Sequence, residues 1–138
     1  MLAALQAKLN VGDAMVLKAS TGLCGGVAWQ SETCGALTGA LMAVGCAIGR
    51  ERLEDIAQFR RSKEPAQEMF CRFRERVGHS ICTEIQKTHF GRTFRLFDPE
   101  DLKAFHKAGA HSRTGCPDVC GIAARTAAEI ILRLRATA

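Results

Sequence analysis

The chain has 138 residues, of which 47% are hydrophobic and 24% charged, which is typical of one folded domain and excludes an intrinsically disordered chain. Its net charge is +5, but basic and acidic residues alternate and there is no tyrosine, which argues against nucleic-acid binding. The longest uncharged run, residues 34–49, is short and rich in glycine and alanine, so no membrane span is predicted. Without a signal peptide, the expected location is the cytoplasm.

The first part of the chain predicts two helices and a loop, because its apolar residues recur at helical spacing. Residues 1–9 form a helix with no start signal before it, so we expect the chain to lack an upstream N-terminal segment. Gly12 and Asp13 open a second helix. Residues 21–26 contain adjacent glycines, which permit positive-φ backbone and predict a flexible loop.

The third predicted helix is expected at the centre of the fold. It begins at Cys34, with Ser31 or Thr33 as its cap, and its apolar residues continue as far as Ile48. Alanine and glycine stripes flank the apolar face, and a helix that is apolar or small on every side belongs inside a bundle. The same small residues would let a second copy of the chain pack here, so a homodimer stays an alternative to a monomer.

The second half of the chain predicts four further helices after a charged amphipathic segment at residues 50–61. They begin near Pro65, Ser80, Asp98 and Pro117. Residues 109–115 are polar and predict a loop. We therefore expect an all-α fold, a compact bundle of about six or seven helices around a central helix of small residues, with a single domain over residues 1–138.

Seven cysteines without a CxxC pair are the most informative feature of the sequence. Their odd number argues against a fully paired disulfide framework. Cys34, Cys82 and Cys116 each lie where a helix is predicted to begin, and the partial positive charge of a helix N-terminus favours thiolate over thiol. Because the thiolate binds metals and attacks disulfides, these three residues are candidate metal ligands or redox nucleophiles.

The other cysteines differ in their predicted surroundings. Cys120 follows Cys116 by four residues, so the two sulfurs share a helix face and suit a ligand pair or a redox pair. Cys24 lies in the glycine loop, from which it can reach a metal. Cys46 is expected to pack among small residues of the central helix, and Cys71 lies on a polar helix face, so neither is a strong candidate.

The histidines and the missing motifs narrow the chemistry. The four histidines lack metal-site spacing and are expected at the polar surface; they are His79, His89, His106 and His111. Because no CxxCH motif is present, covalent haem is not expected. A phosphate-binding loop and a serine-hydrolase elbow are also missing from the sequence.

Several runs of residues carry a family resemblance. In chain order they are Gly25–Gly26–Val27, Cys34–Gly35–Ala36–Leu37–Thr38–Gly39, residues 73–78 leading to Cys82, residues 89–92, and Cys116–Pro117–Asp118–Val119 followed by the last helix. Together these runs resemble the redox-active protein family labelled C_GCAxxG_C_C. The resemblance covers nearly the whole chain.

The resemblance implies a small helical domain with four characteristic cysteines, related to a domain of split-Soret-type cytochromes that carry an iron–sulfur cluster besides haem. It implies site roles for Cys34, Cys82 and Cys116. The family's first cysteine would lie upstream of the opening helix, where this sequence has no match. The fourth sulfur is therefore expected from a missing segment or from Cys24.

Three hypotheses follow for the function, and they leave open whether the chain is an enzyme. The leading one is a redox-active protein that binds an iron–sulfur cluster through Cys34, Cys82, Cys116 and Cys24 and exchanges electrons with a partner protein. The second is a metal-free thiol–disulfide oxidoreductase, with Cys34 or Cys116 as nucleophile and Cys82 or Cys120 as resolving thiol. The third is a structural zinc site or a helical interaction module.

Overall fold

Residues 1–137 are described by the computed structural model, which contains seven α-helices within that range. They are α1 (Leu2–Leu9), α2 (Ala14–Ser20), α3 (Gly35–Ile48), α4 (Ile56–Val77), α5 (Cys82–Phe90), α6 (Pro99–Lys107) and α7 (Cys116–Ala136). A 3-10 turn, Thr21–Leu23, follows α2, and an isolated β-bridge joins Thr33 and Ile81. The predicted all-α bundle is confirmed, and none of these helices has the length and apolarity needed to cross a membrane.

Helix α3 lies at the centre of the bundle, as its small and apolar residues predict. Leu37, Ala40 and Ala43 are completely buried where α3 packs against α4 and α7. The facing positions on those two helices are buried as well; they include Met69 and Phe73 of α4 and Ala123, Ala127, Ile130 and Ile131 of α7. Because alanines line the contact, the neighbouring helices approach closely and their larger side chains fill the interior.

Helix α4 begins at Ile56, so the prediction that a helix begins near Pro65 was wrong. The Asp55 carboxylate caps this earlier start by accepting a hydrogen bond from the Gln58 N–H at 2.8 Å. Pro65 then lies inside the helix, where its missing N–H removes one backbone hydrogen bond. The helix nevertheless continues to Val77, because the Asp55 cap and the burial of Pro65 offset the missing hydrogen bond.

The starts of α3 and α5 also differ from the predicted capping. Cys34 is the residue before α3, and neither Ser31 nor Thr33 caps this helix. The Ser31 hydroxyl donates to a carbonyl in another segment, and Thr33 is held in its bridge with Ile81. Helix α5 likewise begins without the predicted Ser80 cap, because the chain before it is extended to form the same bridge.

A second, smaller apolar cluster holds α6 against α5. The Phe90 and Phe105 rings meet edge to face with centroids 5.3 Å apart, and the Phe94 ring lies at the same distance from Phe105. Phe94 and Phe105 are buried, and the cluster is distinct from the core around α3. It fixes α6 and the loop before it relative to α5.

Charged side chains join α4 to α7 at the surface. Glu68 accepts hydrogen bonds of 3.0 Å from both Arg133 and Arg72, while Glu129 pairs with Arg72 and, at 3.3 Å, with Arg76. The Arg133 hydrogen bond is the main reason that the pKa of Glu68 is lowered. The contribution of Glu68 to the packing of these two helices is therefore lost when its carboxylate is protonated.

We expect a double-mutant cycle to detect favourable coupling between Glu68 and Arg133, because the Arg133 hydrogen bond is the main cause of the lowered pKa of Glu68. Because folding lowers the pKa of Glu68 below its ordinary 4.5, the coupling is complete at neutral pH and is lost as the pH falls through the lowered value. Urea unfolding of the wild type, Glu68→Gln, Arg133→Met and the double variant, near pH 7 and near pH 3, measures it. Equal coupling at both pH values would contradict the assignment.

Candidate functional site

The isolated bridge holds the starts of α3 and α5 side by side. The Cys34 N–H donates to the Ser80 carbonyl at 2.9 Å, and the Cys82 N–H donates to the Glu32 carbonyl at 2.6 Å. Each cysteine directly follows a residue of the bridge. The pairing of these two extended segments therefore brings Cys34 and Cys82 together, although they are far apart in the sequence.

Helix α7 contributes two more cysteines near its start. Gly115 is the cap residue and Cys116 is the first helical residue, so Cys116 lies at a helix start, as predicted. The Cys116 N–H donates to the Ala110 carbonyl at 2.9 Å, which ties the start of α7 to the loop after α6. Cys120 follows about one turn along, so both side chains lie on the same face of the helix.

The loop that carries Cys24 has left-handed backbone at consecutive residues. The φ angles of residues 25–29 lie between +52° and +76°, a conformation that costs about 1–2 kcal/mol for each residue with a Cβ. Backbone hydrogen bonds hold it, from the Ala28 N–H to the Gly22 carbonyl at 2.8 Å and from the Trp29 N–H to the Cys24 carbonyl at 3.0 Å. The predicted positive-φ backbone is confirmed, and it extends past the glycines into a bonded turn.

Two glycines let this loop lie directly against the helix starts. A Cβ on Gly26 would be 2.8 Å from the Cβ of Cys82, and a Cβ on Gly35 would be 2.8 Å from the Leu23 carbonyl oxygen. Neither distance leaves room for a side chain, so both positions require glycine. With glycine at these two positions, the loop backbone lies closer to the cysteines of α3 and α5 than it would with any other residue there.

Five cysteines line one cavity of about 600 Å³. They are Cys24, Cys34, Cys82, Cys116 and Cys120. Much of the remaining wall is apolar and aromatic, with Trp29 and Phe90 among its residues. The structure thus brings together every cysteine that the sequence predicts as a site residue, in a cavity whose volume is usual for ligand sites, about 300–1,000 Å³.

Three histidines also contribute to the wall of this cavity. His89, His106 and His111 are exposed, as predicted for surface residues, and the rings of His106 and His111 lie 4.6 Å apart. The sequence did not predict that these histidines share a cavity with the cysteines, because no helical spacing links the two sets of residues. The packing of α5 and α6 brings them together. His79 accepts the Ile81 N–H through its Nδ1 at 3.1 Å.

The sulfurs are distributed around a cavity rather than around a point. Within residues 1–137, no three side chains of histidine, cysteine, aspartate or glutamate are close enough together to hold one metal ion. A bound group that contacts several of these thiols at once would therefore be larger than a single metal ion and would fill part of the cavity.

Burial raises the pKa of Cys34 and Cys116 above the ordinary value of 9.0. The pKa of Cys34 rises to about 11 through burial, while the Ala36 N–H at the start of α3 opposes the rise and nearby Cys82 adds to it. The pKa of Cys116 rises to about 12 through burial and the proximity of Cys82 and Cys34. Burial also raises the pKa of Cys82 and Cys120. The predicted thiolate stabilisation by helix N-termini is therefore outweighed by desolvation.

The remaining two cysteines lie away from the cavity, and all seven are free thiols. Cys46 is exposed, so the prediction that it packs among small residues was wrong. It lies near the end of α3 beside the Gly12 turn, where the neighbouring Gly45 is also exposed. Cys71 is exposed on α4, as its position on a polar face predicts.

Fold and site together define a cysteine-rich, all-α protein whose thiols converge on one cavity. A family model described as "Putative redox-active protein (C_GCAxxG_C_C)" matches residues 1–130, and the chain belongs to this family. The resemblance found in the sequence is thereby confirmed. Searches of curated proteins and of solved structures found no match.

We expect the thiols of the reduced, metal-free protein to fall into a fast and a slow class with an alkylating reagent near pH 7.5. Because their pKa values are raised, Cys34 and Cys116 should react at least roughly tenfold more slowly than exposed Cys71. Time-resolved alkylation with peptide mass spectrometry measures each rate, and unfolding in urea should remove the differences. Cys34 or Cys116 reacting as fast as Cys71 in the folded protein would contradict the burial argument.

We expect Gly26→Ala to lower the free energy of unfolding by at least about 2 kcal/mol, from left-handed strain together with overpacking. The φ angle at Gly26 is +76°, and the new Cβ would press on the backbone at Ser31 as well as on Cys82. Gly22→Ala is the matched control, since a Cβ there meets no atom within 4 Å. Equal stability of the two variants in urea unfolding would show that the loop does not require this close contact.

Proposed function

We propose that this protein transfers electrons by means of an iron–sulfur cluster bound in the cysteine-lined cavity. The observation that carries the proposal is the convergence of Cys34, Cys82 and Cys116, from the starts of three separate helices, on one cavity. Cysteine thiolates are the usual protein ligands of such clusters, and four of them complete a two-iron or four-iron centre. The electrons would pass to or from a partner redox protein.

The helix starts suit the negative charge of a cluster with its thiolates. Cys34 immediately precedes α3, while Cys82 and Cys116 are the first residues of α5 and α7. Three partial positive charges are therefore directed at the site. The backbone at Ala36, in the first turn of α3, also opposes the rise in the pKa of Cys34 and so favours negative charge on this sulfur, and N–H groups near sulfur are among the features that set the potential of a cluster.

The cavity thiols require cations before they can ionise together. In the metal-free protein, burial and the proximity of the other thiols raise the pKa of Cys116 to about 12. Binding of iron would neutralise the thiolates, which repel one another, so that each ligand loses its proton. The raised pKa values weigh against thiol–disulfide exchange, because a nucleophile at Cys34 or Cys116 has to be a thiolate near neutral pH.

The spread of the sulfurs favours a cluster of several ions over a single zinc ion. Structural zinc needs four ligands at about 2.0–2.3 Å from one point. Within residues 1–137, no three donors are grouped closely enough for this. A cluster of iron and sulfide ions is wider than one ion, so it is better matched to ligands placed around a cavity.

Two cysteines are candidates for the fourth ligand. Cys120 is close enough to Cys34 and Cys116 to contribute to their raised pKa values. Cys24, on the exposed loop, instead contributes to the pKa of Cys120. We therefore propose Cys120 as the fourth ligand in this conformation, with Cys24 as the thiol that can replace it.

Anaerobic reconstitution of the reduced protein with iron and sulfide tests the proposal. We expect a brown protein with stoichiometric iron and acid-labile sulfide, and at least a roughly tenfold loss of bound iron in Cys34→Ser, Cys82→Ser and Cys116→Ser, because each removes a ligand. Cys46→Ser and Cys71→Ser are matched controls that should load like the wild type, since both thiols are exposed and lie outside the cavity. Iron and sulfide assays with visible spectra provide the readout.

The outcomes separate the hypotheses. Colourless protein that purifies with near-stoichiometric zinc would replace the cluster with a structural zinc site. Colourless protein that takes up neither metal would favour the metal-free thiol–disulfide oxidoreductase over the cluster. Iron bound equally by the wild type and by all three ligand variants would show that the metal is not held in this cavity. Comparison of Cys24→Ser with Cys120→Ser identifies the fourth ligand.

A further inference from the structure

A buried glutamine lies one helical turn after Cys82 and contacts its sulfur. Gln86 is 2% exposed and, four residues along α5, shares the face that carries Cys82. Its Nε2 donates to the Cys82 Sγ at 3.5 Å and to the Ser31 Oγ at 3.4 Å, while its Oε1 accepts the Phe94 N–H at 2.7 Å. Both ends of the amide are therefore engaged inside the protein.

The Phe94 N–H determines which way this amide faces. A backbone N–H can only donate, so the Gln86 oxygen has to face it and the NH₂ group has to face Ser31 and Cys82. The reversed amide would place two donors against each other in a buried position, leaving groups unsatisfied at a cost of about 1–3 kcal/mol each. Gln86 is thus fixed as a donor toward the sulfur.

The Ser31 hydroxyl cannot take over this role while its proton is used elsewhere. Ser31 Oγ donates to the Phe94 carbonyl at 3.2 Å, so it acts as an acceptor toward Gln86. Gln86 is therefore the main polar partner of this sulfur.

We propose that Gln86 is a positioning residue that directs the Cys82 sulfur into the cavity and, resting on the proposed function, raises the reduction potential of the cluster by donating a hydrogen bond to this ligand. A neutral thiol is a weak acceptor, whereas an ionised or metal-bound sulfur accepts strongly. Because reduction adds negative charge to the cluster and its ligands, the Gln86 N–H stabilises the reduced state more than the oxidised state.

The hydrogen bond can be tested in the metal-free protein, without any cluster. In ¹⁵N-labelled protein, the Gln86 side-chain amide should exchange its hydrogens slowly, and its resonance should shift in Cys82→Ala but stay in place in Cys46→Ala. Slow exchange follows from burial and from bonds at both N–H groups. A Gln86 resonance that exchanges rapidly, or that is indifferent to loss of the Cys82 sulfur, would overturn the assignment of Gln86 as its donor.

The effect on potential is tested in the reconstituted protein. Gln86→Met keeps the length of the side chain and removes both N–H groups, so the midpoint potential should fall while the iron and sulfide content stays at the wild-type level. Thr126→Val is the control for loss of a buried polar group, because Thr126 is fully buried and lies outside the cavity; its potential should be unchanged. Gln86→Met with full loading and the wild-type potential would overturn the tuning role.

Gln86→Glu provides a second variant if Gln86→Met does not fold. It retains an oxygen for the Phe94 N–H but loses the donor to sulfur and adds negative charge, so its potential should fall further. A potential equal to or above that of the wild type would contradict the proposal. If the wild type does not load a cluster at all, the proposed function fails, whereas the amide measurement still decides whether Gln86 positions the Cys82 sulfur.

Discussion

The candidate site depends on one short contact, the antiparallel bridge between Thr33 and Ile81. It aligns two extended segments whose next residues are Cys34 and Cys82, and each of these cysteines donates its N–H to the facing segment. A further hydrogen bond, from the Thr83 N–H to the Ser31 carbonyl at 3.1 Å, continues the pairing. Helices α3 and α5 therefore begin at the same end of the fold. Side-chain caps from Ser31 and Ser80 would have accepted hydrogen bonds from the free N–H groups at the two helix starts, but they would not have joined the two segments.

The cavity lies between the two apolar clusters of the protein. Leu2, Ala36 and Val119 on its wall belong to the core around α3, whereas Leu96 and Phe105 belong to the smaller cluster beside α6. Because each cluster is packed by itself, their side chains do not close the space between them. The cysteines reach this space from helix starts, and the left-handed loop covers it with backbone that lies closer than side chains would permit.

Two electrostatic effects oppose each other at these helix starts, and the balance bears on the proposed chemistry. Helix N–H groups favour the thiolate, as at Cys34, but removal from water disfavours it more strongly. Several thiols in one cavity add mutual repulsion, as at Cys116. The raised pKa values of Cys34 and Cys116 keep these two thiols protonated near neutral pH, which disfavours nucleophilic attack by either sulfur.

The sequence by itself determined the helical class, the central position of α3 and the placement of Cys34, Cys82 and Cys116 at helix starts, because these depend on periodicity and on local chain-breaking residues. It misplaced the start of α4, since the Asp55 cap and burial of Pro65 override the local preference of proline. Tertiary structure alone decided which cysteines meet, because the bridge, the left-handed turn and the Gln86 contacts join segments distant along the chain. It also decided the protonation of the thiols, since burial is a property of the packed fold and not of helix position.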